Sequence, residues 1–219
     1  MNDYKEKLPE YFIDGPPWEH RDSIGIFLAI VETIKGIFLF PETVISVMKR
    51  KGGLIDAFSF SILMQVLATL TLASVSKLFG FNFELIPHEL LEGGILGDIS
   101  SGILVLFFPV GVFLQILIFS LSIYIAIRII GNDNYQASTI IRLYAYTSGA
   151  TSIWTIVPGI GSLFAFFFSF RFLFIGLKVL YGEGSAWLVK TVIISIIVTP
   201  FLIIAVALPL GSLILIFGG

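Results

Sequence analysis

Apolar positions in this chain come in long unbroken runs, not in alternation. A bilayer core is crossed by about 20 apolar helical residues. Five stretches reach that length, at about 54–79, 102–130, 137–157, 160–181 and 187–217. The joints between them are turn formers: Gly131-Asn132-Asp133-Asn134, then Pro158-Gly159, then Gly182-Glu183-Gly184-Ser185. Such short joints make consecutive helices antiparallel neighbours. No alternating strand pattern of barrel length occurs, and backbone groups in lipid must be satisfied within their own segment. The pattern therefore predicts an all-α, polytopic membrane bundle of five transmembrane helices. Pro109, Pro200 and Pro209 fall inside spans, and each removes a helical hydrogen bond, so kinks are expected there.

The stretch before the first span reads differently. Over residues 24–50, at about 100° per residue, Glu32, Lys35, Gly36, Glu42, Thr43, Ser46, Lys49 and Arg50 collect in an arc of about 140°. Ile34, Ile37, Phe38, Val44, Ile45 and Met48 take the opposite side. This predicts an interfacial amphipathic helix, bent at Pro41, lying along the inner membrane surface with Lys49-Arg50-Lys51 near anionic headgroups. It either covers the inner ends of the bundle or senses membrane shape or docks a cytosolic partner. Residues 1–22 are polar, and Pro9, Gly15, Pro16 and Pro17 favour an extended or loop-like tail. No signal-peptide pattern opens the chain, so the N-terminus is expected to be retained. The expected organisation is a cytosolic tail (1–22), an amphipathic segment (23–53) and a five-helix membrane domain (54–217).

Composition agrees with this layout. Of the 219 residues, 57% are hydrophobic and 13% charged, against about 25% charged in soluble domains. A water-soluble globule, a disordered chain and a disulfide-stapled module are excluded. The net charge of −2 and the lack of a basic stripe speak against a nucleic-acid partner. With the N-terminus inside, 11 of the 13 Lys and Arg residues lie on the inner side, Lys77 lies outside and Arg171 lies within the membrane. The outer loop, about 80–101, carries Glu84, Glu89, Glu92 and Asp98. The positive-inside rule thus places the N-terminus in the cytoplasm and the C-terminus outside.

Arg171 is the deep charge, about 15 Å from the inner end of its span. It shares a face with Lys178, and Arg128 and Arg142 are expected to end at the inner headgroup level. These four form a candidate anion or lipid-headgroup site, with Gln115, Tyr124, Tyr144 and Tyr146 as polar partners. Snorkelling of the same side chains is the plainer reading. The third span is dense in small and hydroxyl residues around Gly149, and the fourth has Gly161, Ala165 and Ser169 at four-residue spacing. These are expected to be helix-packing seams. No thiol chemistry is open to a chain without Cys, and its His residues, His20 and His88, lie outside the spans. Leu96-Gly97-Asp98 is only part of an intramembrane aspartyl-protease motif, and Glu84, His88, Glu89 and Glu92 read as a solvated loop. The expectation is no catalytic constellation, no metal site and no cofactor.

The order of parts carries a resemblance. Phe40-Pro41 and Lys49-Arg50-Lys51-Gly52-Gly53 precede five spans. Arg142-Leu143-Tyr144-Ala145-Tyr146 opens the third, Ile156-Val157-Pro158-Gly159-Ile160-Gly161 leads to the fourth, and Tyr181-Gly182 with Ser185-Ala186 leads to the fifth. Over about 25–215 the chain resembles the Yip domain family of Ypt-interacting proteins, in its compact prokaryotic form. The resemblance implies a multi-pass protein of a prokaryotic cell membrane, with a cytosolic N-terminus and no enzymatic activity. Eukaryotic members associate with Rab-type GTPases and with one another. The Asp-Leu-Tyr-Gly-Pro string and long cytosolic region of those members are missing here, so GTPase binding is not carried over. The expected function is a non-enzymatic scaffold or adaptor that forms homo- or hetero-oligomers with membrane proteins. The alternative is a small transporter, channel subunit or lipid-handling protein.

Overall fold

The computed structural model describes residues 15–48, 53–79, 101–131, 136–182 and 184–217. The tail residues 1–14, the basic run 49–51, the acidic loop 80–100 and the Asn132–Asn134 joint lie outside the described residues. Among the described residues there is no strand. In chain order there are a 3-10 turn Pro17–His20, α1 (Arg21–Ile24), α2 (Ile26–Leu39), α3 (Pro41–Val47), α4 (Leu54–Leu78) and α5 (Ser101–Ile129). Then come α6 (Ala137–Thr151) with a 3-10 turn Ser152–Ile156, α7 (Gly161–Tyr181) and α8 (Ser185–Phe217).

Among the described residues, four helices contain stretches long and apolar enough to cross a membrane: Leu54–Val75, Phe107–Ile129, Gly161–Tyr181 and Ser185–Pro209. The stretch expected at 137–157 is not a fifth helix of that kind. α6 ends after 15 residues, and the next five wind as 3-10. Its own side chains account for the change. Thr147, Ser148, Thr151, Ser152 and Thr155 each donate a hydroxyl proton to a carbonyl three or four residues earlier, competing with the backbone amides. Pro158 then holds Val157 in an extended conformation. α6 can be less apolar because protein covers it. It packs against α4, α5 and α7, with α2 alongside, and most of its residues, from Thr139 to Thr151, are buried. α8 is the opposite case: it packs chiefly on α5 and exposes Ile193, Ile197, Phe201 and Ile204.

The described part of the stretch 24–50 is helical and breaks at Pro41, as the sequence predicts, and it packs against the bundle. α2 runs lengthwise against the bundle and buries Ala29, Thr33, Gly36 and Ile37, while Ile26, Phe27 and Leu28 are exposed. Small residues face the protein and large apolar ones face away, which is how helices associate in lipid. Gly36, assigned by periodicity to the polar arc, is therefore inward, and Glu32 is paired with Lys35 at 2.9 Å. The Phe38 ring meets Trp154, Phe168 and Phe172 at 6.3, 5.6 and 5.1 Å. By helical rise, Phe172 lies about 14 Å from the Tyr181 end of α7, so Phe38 sits near the middle of the bundle's length. Pro41 opens α3, which returns along α7 with Val44 and Ile45 buried. Gly53 then abuts Arg142. α2 and α3 thus form a helical hairpin that enters from the Arg142 end and turns back halfway.

Candidate functional site

Two polar features stand out in this apolar molecule. The first is a strap, residues 15–24, across the end of the bundle where α4 and α6 begin. The expected loop-like tail is instead wound here, because Pro17 suits the first position of a 3-10 turn. The Trp18 amide donates to Thr33 Oγ1 at 2.8 Å, and its indole Nε1 donates to Ser59 Oγ at 3.1 Å. Its ring packs on Phe60 at 5.7 Å. This fixes the next residue, Glu19, over the bundle. Glu19 forms an ion pair with Arg142, and Tyr146 Oη donates to Glu19 Oε1 at 3.0 Å. The side chains of Arg142 and Glu19 are 0% and 4% exposed. A pair so deprived of water holds only because each charge has its partner. Gly53 makes room for it. Its φ of +64° is left-handed, and a Cβ there would collide with Arg142 Nη1. Further out, Arg21 Nη1 bonds Asp56 Oδ1 at 2.7 Å and the Trp18 carbonyl at 3.1 Å. The hydrogen bond to Asp56 raises the Arg21 pKa above its ordinary value.

The second feature is a cavity of about 510 Å³ partway along the bundle. It exists because α8 leans on α5 and only touches α7, leaving a gap beside α6. Gln65 comes from α4, Gln115 and Phe119 from α5, and Tyr144, Ser148 and Thr151 from α6. Ser152 and Thr155 come from the 3-10 turn, Ala165, Phe166, Ser169 and Leu173 from α7, and Ser195, Ile196, Thr199 and Pro200 from α8. The wall is chiefly carbon, and none of the described residues lining it is Asp, Glu, Lys, Arg or His. Phe119 stacks on Tyr144 at 5.6 Å. Pro200 has no N–H, so the Ile196 carbonyl in the same wall lacks its helical donor. No family model, curated protein or solved structure matches the chain. What the molecule can do therefore follows from these two features alone.

The residues singled out by sequence are distributed between them. Arg142 and Tyr146 belong to the strap's ion pair. Arg128 is exposed; its Nε donates to Tyr124 Oη at 3.0 Å, and its guanidinium lies 5.3 Å from the same ring. Arg171 and Lys178 are exposed on α7, with Arg171 5.6 Å over the Phe172 ring. The four cations therefore do not converge on one point: Arg142 faces the interior and the other three the surface. Gln115 and Tyr144 line the cavity. Of the small residues, Gly149 lies against α4, where a Cβ would be 2.8 Å from Ser61 Cα. Gly161 sits against the Trp154 carbonyl of its own turn. Ala165 and Ser169 line the cavity, and Ser169 Oγ is 2.6 Å from Thr151 Oγ1. Among the described residues no cluster of three His, Asp or Glu side chains could share a metal ion.

Sequence reasoning passed over Glu19, Thr33 and Asp56 on the strap and Gln65, Ser195 and Thr199 on the cavity. A signal for the first was present: Arg142, early in a span, needs a carboxylate, and Glu19 lies beside the anchoring Trp18. For the second, Ser195 and Thr199 sit one turn apart directly before Pro200.

Proposed function

We propose that this protein is a non-enzymatic, multi-pass membrane protein that handles lipid, binding an amphiphile in the cavity between α5, α6, α7 and α8. The observation that supports this is the wall itself, a carbon surface carrying a few uncharged polar atoms halfway along a lipid-facing bundle. Such a lining favours a molecule with an apolar body and a small polar head. Replacing Ala165 with Trp fills the cavity from α7. Wild-type protein released from bilayer discs in a mass spectrometer is expected to retain one lipid per chain, and Ala165→Trp is expected to release it. Equal retention by both proteins would overturn the reading.

We further infer a five-crossing layout with the strap in the cytoplasm and the C-terminus outside. α6 with its 3-10 turn extends about 32 Å, enough for a hydrocarbon core of about 30 Å. The α2–α3 hairpin then dips into the inner half. The 0% exposure of Arg142 and the burial around it explain how this crossing tolerates its polarity. The Cys-free chain allows a direct test. Cysteines placed at Gln136 and at Val157 are expected to react with a membrane-impermeant maleimide from opposite sides, Gln136 from the cytoplasm. Labelling of both from one side would leave four crossings.

The scaffold reading rests on the Yip-like order of parts. A stoichiometric membrane-protein partner that co-purifies equally with wild type and Ala165→Trp would favour it.

A further inference from the structure

We infer that the cavity selects an uncharged lipid whose head carries a free hydroxyl. This inference rests on the lipid-binding reading above and adds the chemistry of the ligand. It follows from where the hydroxyl protons of the wall already go. Thr151 Oγ1 donates to the Thr147 carbonyl at 2.8 Å, Ser152 Oγ to Gly149 at 2.7 Å and Thr155 Oγ1 to Ser152 at 2.6 Å. Ser195 Oγ donates to Val192 at 2.8 Å and Thr199 Oγ1 to Ser195 at 2.7 Å. A hydroxyl has one proton and two lone pairs. With the Thr151 proton assigned to the Thr147 carbonyl, Ser169 Oγ is the donor in its 2.6 Å contact with Thr151 Oγ1. The protons of Thr151, Ser152, Thr155, Ser195 and Thr199 are thus spent within the protein, and what these hydroxyls keep for a guest is lone pairs.

Thr155 and Ser169, the more accessible of these hydroxyls, therefore present acceptors. Donors come from the two amides. Gln65 Nε2 uses one proton on Ser61 Oγ at 3.1 Å and has a second, and Gln115, hydrogen-bonded to Tyr144, keeps one more amide proton. A guest that only accepts, such as an ether or ester, satisfies the amides and leaves the hydroxyl oxygens unmatched. A guest with a hydroxyl satisfies both. A carboxylate or phosphate would meet lone pairs with no cation in the wall, and burying it so costs heavily.

The test uses the full chain in detergent micelles with cysteine introduced at Ala165, the reaction of that single thiol with a maleimide being the readout. Phe166→Cys, on the same wall, is a second reporter should Ala165→Cys not fold. Three probes share one chain: oleyl alcohol, its methyl ether and oleate at pH 8. The alcohol is expected to slow labelling at concentrations about tenfold lower than the ether, the effect of one hydrogen bond withheld from a buried acceptor. Oleate is expected to be weaker still. Ser169→Ala is expected to narrow the gap between alcohol and ether. Equal protection by alcohol and ether, or protection by oleate as strong as by the alcohol, would overturn this inference and leave lipid binding standing. Protection by none of the three, or a thiol that never reacts at either position, would remove both.

Discussion

Replacing Arg142 with Leu is expected to destabilise the protein by about 3–5 kcal/mol, because it leaves the Glu19 carboxylate buried without its cation. The same reasoning gives a sharper expectation for the double substitution. Glu19→Leu with Arg142→Leu removes both charges and leaves only the uncharged Tyr146 hydroxyl without its acceptor, so much of the loss should be recovered. The midpoint of an SDS titration followed by circular dichroism reports both variants. If the double variant is as unstable as the single one, the ion pair is not what holds the strap. The outer contact offers an internal comparison. Arg21 and Asp56 are 26% and 30% exposed, and a pair so wetted is worth about 0–1 kcal/mol. Arg21→Leu should therefore move the same midpoint far less than Arg142→Leu.

The second large effect is expected at Gly149. A Cβ there would lie 2.8 Å from the Ser61 Cα and 3.0 Å from the Phe60 ring. The first is backbone and cannot swing aside, so α4 and α6 must separate. Overpacking of this kind costs about 1–3 kcal/mol, and more for a branched side chain. Gly149→Val is accordingly expected to lower the SDS midpoint and to break the contact between Ser61 Oγ and Ser148 Oγ, now 3.2 Å. Ser162→Val serves as a control, since Ser162 is exposed near the start of α7. An equal loss from both substitutions would show that Gly149 is not a point of helix contact.

Helical spans were legible in the sequence because hydrophobic length is a coarse signal that lipid enforces. α4, α5, α7 and α8 begin and end within about two residues of the apolar runs, inside the usual scatter of helix ends. Residues 137–157 were harder. Their apolar length suggested one helix, yet five back-bonding hydroxyls and Pro158 convert its last turns to 3-10. The inward face of α2 was misread at Gly36 for a physical reason. Periodicity sorts residues by polarity, whereas a helix packed in lipid sorts them by size. Ala29, Thr33 and Gly36 turn inward although Ile26 and Phe27 are far more apolar. The cavity was the least legible feature. Its polar atoms come from five helices and one turn, and no local spacing records that α8 leans away from α7. The small and hydroxyl residues of 145–155, read as a packing seam, face α4 at Gly149 and the cavity at Thr151 and Thr155.

The half-length hairpin has a mechanical consequence. Among the described residues, the Arg142 end of the molecule holds α2 and α3 in addition to the long helices, and the hairpin reaches no further along α7 than the rings around Phe38. Set in a bilayer, the body formed by these described helices takes more area from one leaflet than from the other. Its free energy then depends on curvature, and it should gather where the leaflet around the Arg142 end is stretched. The same asymmetry makes the strap a seal on the broad face, where the lateral pressure of the lipids pushes the hairpin against α7.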